Sequence, residues 1–206
     1  EPSHRAVAVY MKSPTFRHKS YTEYKAGRKK MPGEVAMQLQ PLKDVLDKMN
    51  IDRQEREGYE ADDILGTLSL DAEKEGYEVY IVTGDRDAIQ LASENTRVLI
   101  TKKGVGEVEE YDAKAVMERY SLTPDQFIDL KGLMGDKSDN IPGIPGIGEK
   151  TGIKLLLEYK TVQEVLDNVD KLKGAQKKKV EEDMESALMS KDLATIFREV
   201  PLDYSL

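Results

Sequence analysis

Carboxylates repel one another, so a chain that crowds them must separate them on folding or supply a shared cation. This chain crowds them in three short segments: Glu60, Asp62 and Asp63 in G-Y-E-A-D-D, Asp85 and Asp87 in T-G-D-R-D, and Asp136 and Asp139 in G-D-K-S-D. Each segment follows an apolar stretch or opens one, so folding can carry all of them to one end of a sheet. An all-oxygen donor set suits hard divalent cations such as Mg²⁺ or Mn²⁺. The first expectation is a metal-dependent phosphoryl-transfer site.

Taken singly, each cluster has a plainer explanation. E-A-D-D at a helix start favours the helix dipole, and T-G-D-R-D can be a turn after a strand. D-K-S-D-N opens like a calcium-binding loop, but Ile141 stands where such a loop needs Gly and Ile147 where it needs a bidentate Glu. Calcium binding of that type is not expected. Taken together the clusters are harder to dismiss, because three separate explanations must all hold.

Strands alternate with helices along the first half. Residues 6–9 (A-V-A-V), 79–82 (V-Y-I-V) and 98–100 (V-L-I) read as strands, and apolar residues recur at helical spacing over 34–49 and from Glu60 to a stop at Gly76. That alternation predicts a parallel sheet flanked by helices, with ligands beyond the carboxyl ends of its strands. Asp85 and Asp87 follow a strand, and Glu60 to Asp63 open a helix. From about Ser121 the pattern turns helical. Thr123-Pro124-Asp125-Gln126 is a helix start with a capping box, running to a stop at Gly135.

Residues 141–151 (I-P-G-I-P-G-I-G-E-K-T) form the second signal. Glycines let backbone amides approach an anion, and a helix beginning near Thr151 adds its positive end. A nucleotide-binding P-loop is a poor fit, since Glu149 follows the last glycine where Lys is needed and no strand precedes it. A glycine hairpin between two helices, gripping a DNA backbone phosphate, fits better. A plain helix-to-helix turn remains open.

The formal charge of −8 argues against a nucleic-acid partner only on average. Local patches decide such contacts, and residues 17–30 carry Arg17, Lys19, Lys25, Arg28, Lys29 and Lys30 against one acid, Glu23. Tyr21, Tyr24, Lys25 and Arg28 are spaced as on one face of a helix, which would present rings for stacking and cations for phosphates. The absence of Cys excludes disulfides and thiolate metal sites. It also agrees with a reducing cytoplasm. No apolar run reaches the length of a membrane span, and His4 and His18 have no zinc-ligand pattern around them.

The motifs T-F-R-H…Y-K-A-G-R, G-Y-E-A-D-D-I-L-G-T-L, I-V-T-G-D-R-D, L-M-G-D-K-S-D-N-I-P-G-I-P-G-I-G-E-K-T and A-T-I-F-R-E-V-P-L, in this order, resemble the 5′-nuclease domain family of bacterial DNA polymerase I and the related flap endonucleases. The resemblance implies an α/β fold. A Rossmann-like (PIN-like) parallel sheet with a helical arch would occupy residues 1–122, and a helical subdomain with a helix–hairpin–helix DNA-binding motif residues 123–206. It further implies two Mg²⁺ or Mn²⁺ ions held by Glu60, Asp62, Asp63, Asp85, Asp87, Asp136 and Asp139, and K⁺ at the glycine hairpin. Lys25 and Arg28 would neutralise the scissile phosphate from the arch, and Tyr24 would stack on a nucleobase. Arg17, Gly146, Gly148, Lys150 and Thr151 would complete the DNA contacts. The implied partners are DNA with 5′ flaps, nicks or ends and a covalently linked polymerase domain, for a monomer in the bacterial cytoplasm at the nucleoid, with no membrane contact.

Two departures bear on activity. The family begins with a strand carrying an Asp ligand, and this sequence begins beyond it, so an earlier segment is expected. The family also ends its next strand in Asp, where an ungapped count back from T-F-R-H gives Tyr10; no acid occurs between Glu1 and Glu23 to replace it. A neutral phenol there weakens metal affinity. Three readings stay open: a structure-specific 5′ nuclease, a DNA-structure-binding domain with impaired catalysis, and a metal-binding protein without DNA.

Overall fold

The computed structural model describes residues 2–102 and 106–204, so the outer limits of the two expected domains, Glu1 and Leu206, lie outside the described residues. Two small sheets organise the first half. Strand β1 (Ala6–Ala8) pairs in parallel with β2 (Asp52–Gln54). In the second sheet β3 (Val79–Thr83) pairs in parallel with β4 (Thr96–Thr101), and β4 pairs antiparallel with β5 (Val108–Tyr111).

Connection length explains the mixed directions. About a dozen residues separate β3 from β4, enough for a crossover, whereas the short link from β4 to β5 permits only reversal. The single parallel sheet expected from the sequence is therefore two pieces, and among the described residues no strand joins β1 to β3. Strand β4 shows period-two burial, with Thr96, Val98 and Ile100 buried.

Helix α1 (Phe16–Ser20) is short. The predicted helix over 34–49 is broken into α2 (Gly33–Ala36) and α3 (Leu39–Lys48). Val35, Leu42, Val45 and Met49 of its apolar stripe are exposed. Helix α4 (Ala61–Lys74) begins one residue after Glu60, which acts as its N-cap in a capping box with Asp63. It packs on both β1 and β3, joining the two sheets.

Helix α5 (Ala113–Tyr120) leads to α6 (Pro124–Met134), which starts on the predicted Thr123 cap and stops at Gly135. Helices α7 (Glu149–Tyr159), α8 (Val162–Asp167), α9 (Gly174–Glu182) and α10 (Met184–Ala194) follow. One core runs from Ile81, Val98 and Ile100 through Leu122, Leu130 and Leu133 to Leu156 and Val162. Among the described residues no helix is long and apolar enough to cross a membrane.

Candidate active site

The site is built on α4 and the two ends of the chain that close around it. Arg17 on α1 is 3% exposed and makes a two-pronged pair with Asp63: Nη1 donates to Oδ2 and Nη2 to Oδ1, both at 2.8 Å. Its remaining donors reach Glu60 Oε2 (3.3 Å) and the carbonyls of Leu193 (2.9 Å) and Thr195 (2.6 Å). Asp63 also accepts from the backbone amides of Glu60 and Phe197, each at 2.9 Å. Both oxygens of Asp63 are thus engaged inside the protein, and Arg17 has no face left for DNA. The sequence expectations of Asp63 as a metal ligand and Arg17 as a phosphate contact do not match this packing. The pair fastens α1 and residues 193–197 to the start of α4.

That anchoring aims Glu60 at a second group. Tyr24 is 3% exposed, and its hydroxyl donates to Glu60 Oε2 at 2.9 Å and to Asp139 Oδ2 at 3.4 Å. Burial and the neighbouring carboxylates push the Tyr24 phenol well above its ordinary pKa, so it stays a donor. The ring is not presented to solvent, and the expected stacking surface is not formed. The continuous helical face over 21–28 is absent too, because α1 ends at Ser20 and Lys25 adopts a left-handed φ of 57°. That turn brings Lys25 Nζ onto Glu60, within 3.5 Å of Asp139, while Arg28 pairs with Asp139. The backbone joins in, with Lys25 N donating to Asp139 O at 2.8 Å.

Asp87 and Asp136 form the other half. Lys131 on α6, 8% exposed, places Nζ 2.7 Å from Asp87 Oδ1 and also bonds Asp136. Asp136 further accepts from Ser138 N at 2.7 Å and Ser138 Oγ at 2.6 Å. Burial works to raise the Asp136 carboxyl, but the Lys131 and Ser138 hydrogen bonds prevail and hold it at about 2. Burial raises Asp87, with Asp85 and Asp136 adding to the push against the pull of Lys131. Asp85 caps the 3₁₀ turn after β3, accepting from Asp87 N at 3.0 Å.

Asp62 lies between the two halves. Burial first, then the charges of Asp85 and Glu60, push its carboxyl up to about 7. Seven carboxylates (Glu60, Asp62, Asp63, Asp85, Asp87, Asp136 and Asp139) thus share four cationic side chains, Arg17, Lys25, Arg28 and Lys131. The excess negative charge and the all-oxygen donors fit a hard divalent cation. Among the described residues, however, no three acids or histidines stand close enough to hold one: the lysine and arginine heads occupy the space between them. Lys131 escaped sequence reasoning. Its only signal was a lysine set between Leu130 and Leu133 on a helix apolar nearly all round.

The glycine hairpin joins α6 to α7. Ile144 and Ile147 are buried beneath it, whereas Pro145, Gly146 and Gly148 are exposed. Gly148 is the N-cap of α7 without a side-chain cap, and Glu149, Lys150 and Thr151 form the first turn, earlier than the predicted start near Thr151. Tyr10 lies just beyond β1 and is 49% exposed.

Comparison with known families decides the lineage. Residues 1–121 match the model of the 5′-3′ exonuclease N-terminal resolvase-like domain, and residues 122–206 that of the 5′-3′ exonuclease C-terminal SAM fold. The chain belongs to the 5′-3′ exonuclease family. All of it aligns with DNA polymerase I of Bacillus subtilis at 50% identity and of Bacillus caldotenax at 51%, covering 24% of each of those proteins. It spans about a quarter of these curated relatives.

Among solved structures the exonuclease fold recurs in the zinc-bound 5′-exonuclease of T5 (TM-score 0.75, 24% identity, 94% of this chain and 72% of that one). The T5 D15 protein co-crystallised with metal ions gives TM-score 0.75 at 25% identity, over 90% of this chain and 73% of that one. The catalytic core of Rad2 in complex with DNA gives TM-score 0.56 at 16% identity, over 88% and 60%.

Proposed function

We propose that this chain hydrolyses DNA phosphodiester bonds at 5′ flaps, nicks and ends, as the 5′-nuclease segment of a bacterial DNA polymerase I acting in replication and repair. The observation that carries the reading is the gathering of seven carboxylates, Asp63 included, from the start of α4, the turn after β3 and the loop after α6, around four cationic side chains. Glu60, Asp62, Asp85, Asp87, Asp136 and Asp139 are the residues that would hold two Mg²⁺ or Mn²⁺ ions. Such a pair supplies activated water and stabilises the leaving oxygen.

The chain's own cations have a second task. Lys25 and Arg28 hold Glu60 and Asp139 in the metal-free protein. With those carboxylates engaged by divalent cations, Lys25 and Arg28 would be the side chains available to neutralise a phosphate whose charge grows during cleavage. Tyr24 stays as the positioning donor for Glu60. Gly146, Gly148, Lys150 and Thr151 hold backbone phosphates of the duplex, which selects structure rather than sequence. The same anchoring by Arg17 and Asp63 keeps the carboxylates registered with the hairpin.

A second reading is favoured by Tyr10, which offers a neutral phenol beyond β1 where the family resemblance expects an acid. On that reading the chain recognises DNA but cuts poorly. Cleavage of a labelled 5′-flap DNA by the wild type and by Tyr10→Asp separates the two. Equal cleavage by both supports the nuclease; cleavage confined to Tyr10→Asp supports the impaired domain. Failure of both, in protein that still binds Mg²⁺, removes the nuclease reading.

A further inference from the structure

We propose that Asn140 is a positioning residue for Lys25: its side-chain amide fixes the backbone turn that carries the Lys25 ammonium to the carboxylates. The proposal rests on the nuclease reading above and adds a residue to it. After α1 the chain makes a turn closed by Ala26 N, which donates to Glu23 O at 3.0 Å. Lys25, the third residue of that turn, has a φ of 57°, a conformation that suits Gly or Asn and burdens a lysine. Such a conformation persists only where its surroundings over-determine it. Two bonds from the loop after α6 do so. Asn140 Nδ2 donates to Glu23 O at 2.7 Å, and Lys25 N donates to Asp139 O at 2.8 Å.

The loop that supplies both bonds is itself closed, since Asp136 N donates to Ile141 O and Ile141 N to Asp136 O, each at 2.8 Å. Within that closure Asn140 is left-handed, with a φ of 56°, which asparagine tolerates better than most residues. Ile141 packs with Tyr24, Leu193 and Ala194 in a small buried cluster, so the two segments also share a core. Lys25 is therefore held at two levels. Its head bonds Glu60 and lies 3.5 Å from Asp139, while its backbone is laced to residues 139–140. A head that leaves Glu60 for a phosphate keeps its root where the loop fixes it, and Asn140 thereby sets where the charge can go. Placement of that charge bears on rate more than on binding, because the phosphate gains its extra charge only on the way to the transition state.

The test is a double-mutant cycle on cleavage of a labelled 5′-flap DNA in Mg²⁺, comparing the wild type, Asn140→Gly, Lys25→Met and the double variant. Asn140 is exposed, and Gly keeps the left-handed backbone while removing only the amide, so the variant opens no cavity. Asn140→Gly is expected to lower kcat about tenfold at unchanged KM, and to cost less than about twofold where Lys25 is already Met. A second readout needs neither metal nor DNA: the Lys25 amide, followed by NMR hydrogen exchange, is expected to exchange about tenfold faster in Asn140→Gly at wild-type Tm. An equal loss of kcat in both backgrounds overturns the proposal, because a merely structural role does not depend on Lys25. Wild-type kcat, or unchanged exchange at Lys25, in Asn140→Gly overturns it as well. Wild-type protein that does not cut overturns the nuclease reading itself, and the exchange measurement tells that failure apart from failure of the Asn140 contact.

Discussion

Arg17 and Asp63 meet through two parallel hydrogen bonds of 2.8 Å, both side chains all but removed from solvent. The pair ties α1, the start of α4 and the carbonyls of Leu193 and Thr195 into one unit, so its role is to place Glu60 rather than to touch a ligand. Breaking one side of such a pair strands a buried charge. Arg17→Met is expected to destabilise the protein by about 3–5 kcal/mol, read as a fall in the urea midpoint at unchanged slope. A loss below about 1 kcal/mol would show that the pair does not hold the site together.

Asp62 gives the metal-free protein a pH dependence of definite sign. Its folded carboxyl titrates at about 7, above the ordinary value of 3.8. A raised folded value means stability that is fully present below about pH 4 and is lost as pH rises through about 7. Fully realised, the rise is worth about 4 kcal/mol. The side chain keeps partial access to water, and screening reduces the expected loss to about 1–2 kcal/mol. Mg²⁺ is expected to raise Tm more at about pH 8 than at about pH 5, because it competes with fewer protons there. A Tm increase independent of pH would remove Asp62 from the metal site.

Lys131 holds Asp87 and Asp136 together. Lys131→Met leaves two facing carboxylates uncompensated and is expected to cost about 2–3 kcal/mol without metal. Saturating Mg²⁺ is expected to recover most of that loss, because the cation takes the place of the ammonium. Differential scanning calorimetry with and without Mg²⁺ reads both effects. A loss that Mg²⁺ leaves untouched would mean that Lys131 serves packing alone.

The hairpin depends on a close backbone approach at its base. Gly143 has a φ of 60°, and a Cβ there would strike the backbone of Gly135. Gly143→Ala is expected to cost about 2 kcal/mol or more. Gly33→Ala is the control, since Gly33 has nothing within 4 Å and lies in α2; it is expected to be neutral or slightly stabilising. Chemical denaturation of the two variants checks the contrast.

The sequence made some of this legible and hid the rest for identifiable reasons. Local signals carried well: the Thr123 capping box set the start of α6, Gly135 its end, and Glu60 the cap of α4. The clustering of carboxylates followed from strand and helix boundaries. What local signals could not show was direction. Tyr24 and Arg17 look like surface residues in a basic stretch, yet their partners lie far along the chain, Asp63 46 positions from Arg17 and Asp139 115 from Tyr24. The helical spacing of Tyr21, Tyr24 and Arg28 was misleading because the left-handed turn at Lys25 breaks the period. The mixed sheet and the split near Gln38 likewise depend on chain connection and packing rather than on periodicity.

The most direct measurement is cleavage of a labelled 5′-flap DNA in Mg²⁺ and in Mn²⁺, with Asp85→Asn alongside. Asp85 is chosen because it bears on Asp62 and caps the turn carrying Asp87, and its amide keeps the cap while losing the charge. The account predicts metal-dependent cutting near the flap junction by the wild type, reduced about a hundredfold or more in Asp85→Asn. Cutting that persists in EDTA, or that Asp85→Asn leaves unchanged, would contradict a carboxylate-held metal centre as the source of activity.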